Sequence, residues 1–270
     1  MKNLNMFCLS LNDEDLSKIQ SLNYIPVGLG DREFHKAWFR DNTGENIAKK
    51  NKYYGEYTFH YWFWKNHLKT ITEKNWIGFC AYRRFWTSNE TTSDIKHKND
   101  FLNHVPENWN KFDVILGHDI YMDGWSYMKI IKHGLRSFLS NPKFFLKKNR
   151  NLKLHFDSFH GFGKLDKAID LLDEKDKKDF KFFMENQNFY NRGNMFIARN
   201  KNILDNFYGT IFPWLKRCEK VFGFPNKSYG ETRIYAFLME RFISYWFNKY
   251  TKVKIWPIAF YNINQNKILD

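Results

Sequence analysis

Seven residues in succession, Trp76-Ile77-Gly78-Phe79-Cys80-Ala81-Tyr82, carry no charge and stop abruptly at Arg83-Arg84. An apolar run without polar alternation fits a strand buried on both faces, as at the centre of a parallel sheet covered by helices. Other largely apolar runs lie at residues 4–11, 24–30, 112–117, 193–198 and 253–260. Between them the spacing turns helical. Tyr54, Tyr57, Tyr61, Trp64 and Leu68 recur at three and four and predict one helix over 47–67, and further helices are expected over 166–183, 201–221 and 231–249. Strands alternating with helices predict an α/β chain with a mostly parallel sheet. The 270 residues hold no internal repeat or low-complexity linker, so a single domain over 1–270 is expected.

The charge is unevenly placed. Lys and Arg number 43 against 29 Asp and Glu, a net +14 that implies an anionic partner: a nucleotide phosphate, a nucleic acid or an acidic membrane surface. A genome rich in A and T would also inflate Lys, so position carries more than the sum. Between the strands at 112–117 and 193–198 lies an insertion, about 119–190. From Gly124 to Phe156 it has no acidic residue, but Lys129, Lys132, Arg136, Lys143, Lys147, Lys148, Arg150 and Lys153 are basic. Met128, Ile131, Leu135 and Phe138 fall on one helical face beside them, which describes a basic amphipathic surface element. Aromatic residues make up 20% of the chain, more than a core needs, so some are expected to line a groove. Cys8, Cys80 and Cys218 form no metal or redox motif. Without a signal-like or membrane-spanning apolar stretch, a cytoplasmic protein is expected.

Ligands of open α/β sheets bind beyond the carboxyl ends of the strands. Ser10 stands at such an end, and Tyr82-Arg83-Arg84 follows the strongest strand. Paired guanidiniums there suit phosphate or carboxylate, with structural salt bridges as the plainer alternative. Asp41, Asn42 and Asn46 lie in a polar loop before the first long helix and fit either helix capping or contact with a ribose or base. Glu56 and Lys65 lie within that aromatic helix and fit either a buried polar anchor, for one of them, or a surface salt bridge. Asp157, flanked by His155 and His160, and Glu240, beside Arg241 in an apolar helix, are the carboxylates expected as a general base. Asn191, Arg192 and Asn194 form a polar turn suited to contacting a substrate. Asp119 and Asp123, with His118, are weak candidates for holding Mn2+ or Mg2+.

Several segments taken together resemble a bacterial family of unknown function commonly described as capsular or exopolysaccharide glycosyltransferases. The resemblance rests on Ile25-Pro26-Val27-Gly28, on residues 40–48, on Tyr61-Trp62-Phe63-Trp64-Lys65-Asn66, on residues 77–85 and on Asn194-Met195-Phe196-Ile197, in that order. It implies a GT-A-like, Rossmann-like fold. It also implies transfer from a nucleotide sugar, a UDP-hexose or UDP-galactofuranose, to a growing surface glycan. With the basic insertion, this leads to the expectation of a lipid-linked or polysaccharide acceptor at the inner membrane face, residues 124–156 lying against the anionic surface. On that basis Ser10, Asp41, Asn42, Asn46, Tyr82, Arg83 and Arg84 would bind the donor. His160, Asn191, Asn194 and Arg241 would bind acceptor or sugar. Where many GT-A enzymes carry Asp-X-Asp, this chain has Ala81-Tyr82-Arg83-Arg84, so an Arg would replace some of the metal charge. Ala81 also stands where the family's His-Tyr-Arg-Arg form has His. A nucleic-acid-binding module without catalysis, or a degenerate transferase serving as a scaffold, are the alternatives.

Overall fold

The apolar run becomes strand β4 (Trp76–Ala81), with five of its six residues buried. In the computed structural model, which describes residues 3–91, 100–122, 127–263, 265, 267 and 268, β4 pairs in parallel with β1 (Leu4–Ser10). On its other side lies β9 (Phe196–Ala198), running the opposite way. With β2 (Ile25–Gly28), β3 (Phe39–Arg40), β6 (Val114–Leu116) and β10 (Val253–Ile255), the main sheet has the order β10-β6-β9-β4-β1-β2-β3. Every neighbouring pair is parallel except the two made by β9. The sheet is therefore largely parallel with one reversed strand, which apolar run lengths alone do not reveal because they carry no direction.

β5 (Arg84–Trp86) folds back from the end of β4 and pairs with β11 (Ile258–Asn262), which in turn pairs with β12 (Lys267–Ile268). The single strand expected over 253–260 is thus two, β10 and β11, separated by Trp256-Pro257. β7 (Asp119–Tyr121) and β8 (Phe189–Asn191) form a separate antiparallel ribbon at the mouth of the insertion.

After α1 (Leu16–Gln20), the helix expected over 47–67 is broken. It consists of α2 (Asn51–Tyr54) and α3 (Tyr57–Trp62), and α3 runs on into a π-turn at Phe63–His67. The break falls at Gly55, whose φ of +58° suits only glycine and where a Cβ would collide with the guanidinium of Arg233. The insertion supplies α4 (Tyr127–Ser140), α5 (Leu152–His160), α6 (Lys164–Asp170) and α7 (Glu174–Asn186), the last two replacing the one helix expected over 166–183. α8 (Lys201–Phe222) opens on Asn200, whose side chain accepts from Ile203 N, and is followed by α9 (Tyr229–Thr232) and α10 (Ile234–Tyr250). Among the described residues no helix is long and apolar enough to cross a membrane.

Period-two alternation divides the core between the two faces of the sheet. Phe7 and Phe79 pack with Phe59, Phe63 and Phe196 on one face, while Cys8 and Cys80 pack with Trp76, Trp86 and Trp109 on the other. Most of the aromatic excess is spent here, each fully buried ring contributing about 2–3 kcal/mol.

Candidate active site

The parallel strands all point their carboxyl ends to one edge, and β9 enters the sheet from that edge. Three chain segments therefore meet there: the β4–β5 turn, the β8–β9 connection and the start of α10. They enclose a cavity of about 280 Å³ lined by Arg84, Arg192, Asn194, Arg233, Phe237 and Glu240, with Glu56 and Tyr190 beside them. Larger hollows exist, such as one of about 520 Å³ lined by Trp64, Lys65, Lys201 and Asp205. It borders the residues before β4 and after β9, at the amino edge, where the fold gathers no strand ends for chemistry.

The guanidinium carbons of Arg84 and Arg192 lie 5.3 Å and 4.5 Å from the centroid of the same ring, Phe260. Neither forms an ion pair among the described residues, in contrast to Arg233, which meets Glu56 at 3.3 Å, and Arg241, which meets Glu240 at 2.7 Å. Burial holds the Arg192 guanidinium below its usual pKa, and the positive Arg84 lowers it further. Two guanidiniums held together without a carboxylate suit an incoming anion with several oxygens.

Glu240 projects from the first turns of α10 and rests against Gly193, where a Cβ would collide with it. The hydroxyl of Tyr57 fixes that glycine by donating to its carbonyl at 3.0 Å. Burial raises the Glu240 pKa, opposed first by Arg241, while Glu56 adds to the rise and Arg84 and Arg233 oppose it. Arg241 itself is 1% exposed. One of its nitrogens donates to Glu240, another donates to Nδ1 of His155 at 3.1 Å, and its plane lies 4.1 Å over Tyr190. His155 and His160 are both held well below the usual histidine range by burial and then by Arg241, so both are neutral at pH 7. His160 stacks on Phe237 with centroids 3.9 Å apart. Arg241 and both histidines thus stand behind Glu240 and not on the cavity wall. Asn194 does line the cavity, and its buried Oδ1 has no hydrogen-bond partner among the described residues.

The other expected residues have different surroundings. Tyr82 and the exposed Arg83 stay at the turn outside the cavity lining, the Arg83 guanidinium 4.9 Å from the Tyr82 ring. The Ser10 hydroxyl donates to Asp15 at 2.8 Å and accepts from Asn12 N at 2.9 Å, closing the turn after β1. Asp41 is buried, accepting from Gly30 N at 2.8 Å and from the Thr58 hydroxyl at 2.5 Å, so it ties the ends of β2 and β3 to α3. Asn42 is exposed, and Asn46 caps the next turn by accepting from Ala48 N at 3.1 Å. The rest of this loop is moored on α3, where Asn66 brackets Glu45. Asn191 is buried, donating to Gly117 O and Asp119 Oδ1 and accepting from Ser244.

Asp119 stands in β7, and Asp123 lies outside the described residues. A divalent cation needs several oxygen ligands. At the end of β4 the chain presents Arg84, and the described residues bring no three His, Cys, Asp or Glu together.

Asp157 borders a separate cavity with Lys153 and Asp166. It accepts from Gly163 N at 3.1 Å, holding the turn between α5 and α6, and burial lifts its pKa to about 6. A carboxyl raised in the folded state binds its proton there first, so its contribution to stability declines as pH rises from about 4 to about 6. Asp157→Asn keeps an acceptor for Gly163 and removes the buried charge. In denaturant melts it is expected to exceed the parent at pH 7.5 by up to about 2 kcal/mol, an advantage lost near pH 4.

Arg233, Tyr190 and Phe237 had no distinguishing sequence signal. Their role in the cavity wall comes from tertiary placement, whereas Glu56, Arg84, Glu240 and the polar turn 191–194 carry a sequence signal.

The chain is an α/β fold whose largely parallel sheet has a cavity at its carboxyl edge, where open α/β sheets bind ligands. The chain belongs to the family described as "Domain of unknown function (DUF4422)", whose model matches residues 12–252. Its structure is similar to the apo structure of WbbM, a bifunctional glycosyltransferase, with a TM-score of 0.67 at 19% identity, covering 96% of this chain and 45% of that one. The chain thus spans less than half of that protein's length, and the likeness shows a shared fold. The mannosyltransferase Ktr4p of S. cerevisiae also matches, at 11% identity over 87% of this chain and 62% of that one, but its TM-score of 0.28 carries no argument. No curated protein sequence matches.

Proposed function

We propose that the chain is a glycosyltransferase that moves a sugar from a UDP-hexose or UDP-galactofuranose to a lipid-linked or polysaccharide acceptor in surface-glycan synthesis, working at the cytoplasmic face of the membrane. The observation that carries this reading is the pair of guanidiniums without carboxylate partners, Arg84 and Arg192, sharing a carboxyl-edge cavity with the carboxylate of Glu240. In a single displacement, Glu240 takes the proton of an acceptor hydroxyl as its oxygen bonds to the anomeric carbon. The bond from that carbon to the diphosphate breaks, and Arg84 and Arg192 neutralise the charge gathering on the leaving group. The unpartnered Oδ1 of Asn194 accepts from a sugar hydroxyl. Arg241 keeps Glu240 ionised and aimed. Arg83 and Tyr82, beside the cavity, extend the donor site toward the nucleoside.

Incubation with a panel of nucleotide sugars, reading both thermal shift and release of nucleoside diphosphate, tests this. One UDP-sugar is expected to stabilise the protein and to release UDP when acceptor is added. Binding without turnover over the whole panel and a range of acceptors would favour the scaffold alternative. Retention on single-stranded DNA without any nucleotide-sugar binding would favour a nucleic-acid module.

Gly193→Ala checks the placement of the base. The new methyl group displaces Glu240 at a cost of about 1–3 kcal/mol of stability. Turnover is expected to fall more than about tenfold while nucleotide affinity stays near the parent value, because a shift of about 1 Å in a reacting group is enough.

A further inference from the structure

We propose that the outer face of α4 docks the protein on an anionic lipid bilayer. Lys132, Leu135, Arg136 and Leu139 recur at three- and four-residue spacing and so share one face of the helix. That face is open: Leu135 is 51% and Leu139 71% exposed, while Phe138, expected on the same face as Leu135, is turned inward and 1% exposed, so Leu135 and Phe138 do not form one exposed stripe. The apolar surface extends beyond the helix through Leu146, 56% exposed, and Phe162, 40% exposed, whose ring lies 4.7 Å from the Arg136 guanidinium.

Along the chain the charge around these leucines has one sign: Lys143, Lys147 and Lys148 are exposed beside Leu146, and no acidic residue occurs between Gly124 and Phe156. The carboxylates that share a cavity with Ser137 and Ser140 of α4 are Asp157 and Asp166, both paired with Lys153, and Glu185. Exposed aliphatic side chains among basic residues on a helix face are what an interfacial helix presents, the leucines entering the acyl boundary and the cations meeting lipid phosphates. A nucleic-acid surface would need stacking rings in place of leucines.

The position of α4 fits this. α4 packs on α5, and α5 carries His155 and His160 onto Arg241 and Phe237 at the back of the cavity. A bilayer under α4 therefore lies on the insertion that adjoins the cavity, where an acceptor with a lipid anchor would be presented. The docking claim itself rests on the surface alone and is read without turnover, so its failure and a failure of the transfer reading are separate results.

The test is co-sedimentation of the full chain with vesicles of phosphatidylcholine, with and without phosphatidylglycerol. Binding is expected to the anionic vesicles at low salt, with loss at high salt and little retention on the neutral ones. Lys132→Glu with Arg136→Glu is expected to lower partitioning more than about tenfold, since each basic residue near the surface contributes about fivefold. Leu135→Ser with Leu139→Ser should weaken it as well, and all four positions are exposed, so thermal melts should match the parent. Equal binding to neutral vesicles, unchanged partitioning of both folded double variants, or retention on single-stranded DNA with none on vesicles overturns the proposal.

Discussion

Glu240→Gln is expected to reduce the transfer rate by about 10²–10⁴-fold while leaving nucleotide-sugar affinity close to the parent value, the usual cost of losing a positioned general base. The amide keeps the volume of the carboxylate against Gly193 but cannot accept a proton. It leaves Arg241 without an anionic partner, although His155 and the Tyr190 ring still hold that guanidinium, so the variant should be less stable but folded. The pH profile carries the same information. The base works only when ionised, and burial raises the Glu240 pKa. The acid limb of the parent's rate profile should therefore lie above the ordinary carboxylate range, with activity rising as pH rises through it. Arg241→Met removes the largest opposing influence and should move that limb to higher pH. Arg241→Lys should restore part of the shift, which a purely structural role for Arg241 would not produce.

Arg84→Ala and Arg192→Ala should each weaken binding of a nucleoside diphosphate by about 10–100-fold, from the loss of charge-assisted hydrogen bonds of about 1.5–3 kcal/mol each. The double variant should lose measurable binding, and turnover should fall with it because the same groups meet the leaving charge. Stability distinguishes this from a structural role. Two like charges share the Phe260 ring without carboxylate partners among the described residues, so removing one relieves repulsion and its melting temperature should hold or rise. A guanidinium serving as a structural tie would instead lower it. Lysine at either position should recover part of the affinity but not the bidentate geometry.

The strand that ends at Ala81, just before Tyr82-Arg83-Arg84, was legible in the sequence because an uninterrupted apolar run followed by paired charges admits few other readings. The alternation of strands and helices likewise exposed the α/β layering. The reversal of β9 was not legible, since an apolar triplet reads the same in either direction. The break at Gly55 was hidden because Tyr54 and Tyr57 keep helical spacing across it, and the guanidinium that fills the space of a side chain there belongs to Arg233, a residue 178 positions away. The polar loop illustrates a further limit. Asp41 and Asn46 are residue types that serve equally in caps, turns and ligand contacts, and only packing shows Asp41 locked between Gly30 and Thr58. Glu240 and Asp157 looked alike as carboxylates beside helix hydrophobes. Their difference lies in what faces them: an unpaired pair of guanidiniums for one, a lysine and a glycine turn for the other.

A crystal structure with UDP bound tests the central claim most directly. The account predicts the diphosphate at the carboxyl edge, its oxygens within hydrogen-bond distance of Arg84 and Arg192 and on the side facing Glu240. Nucleotide seated instead in the amino-edge hollow between Trp64 and Asp205, with Arg84 and Arg192 untouched, would contradict it.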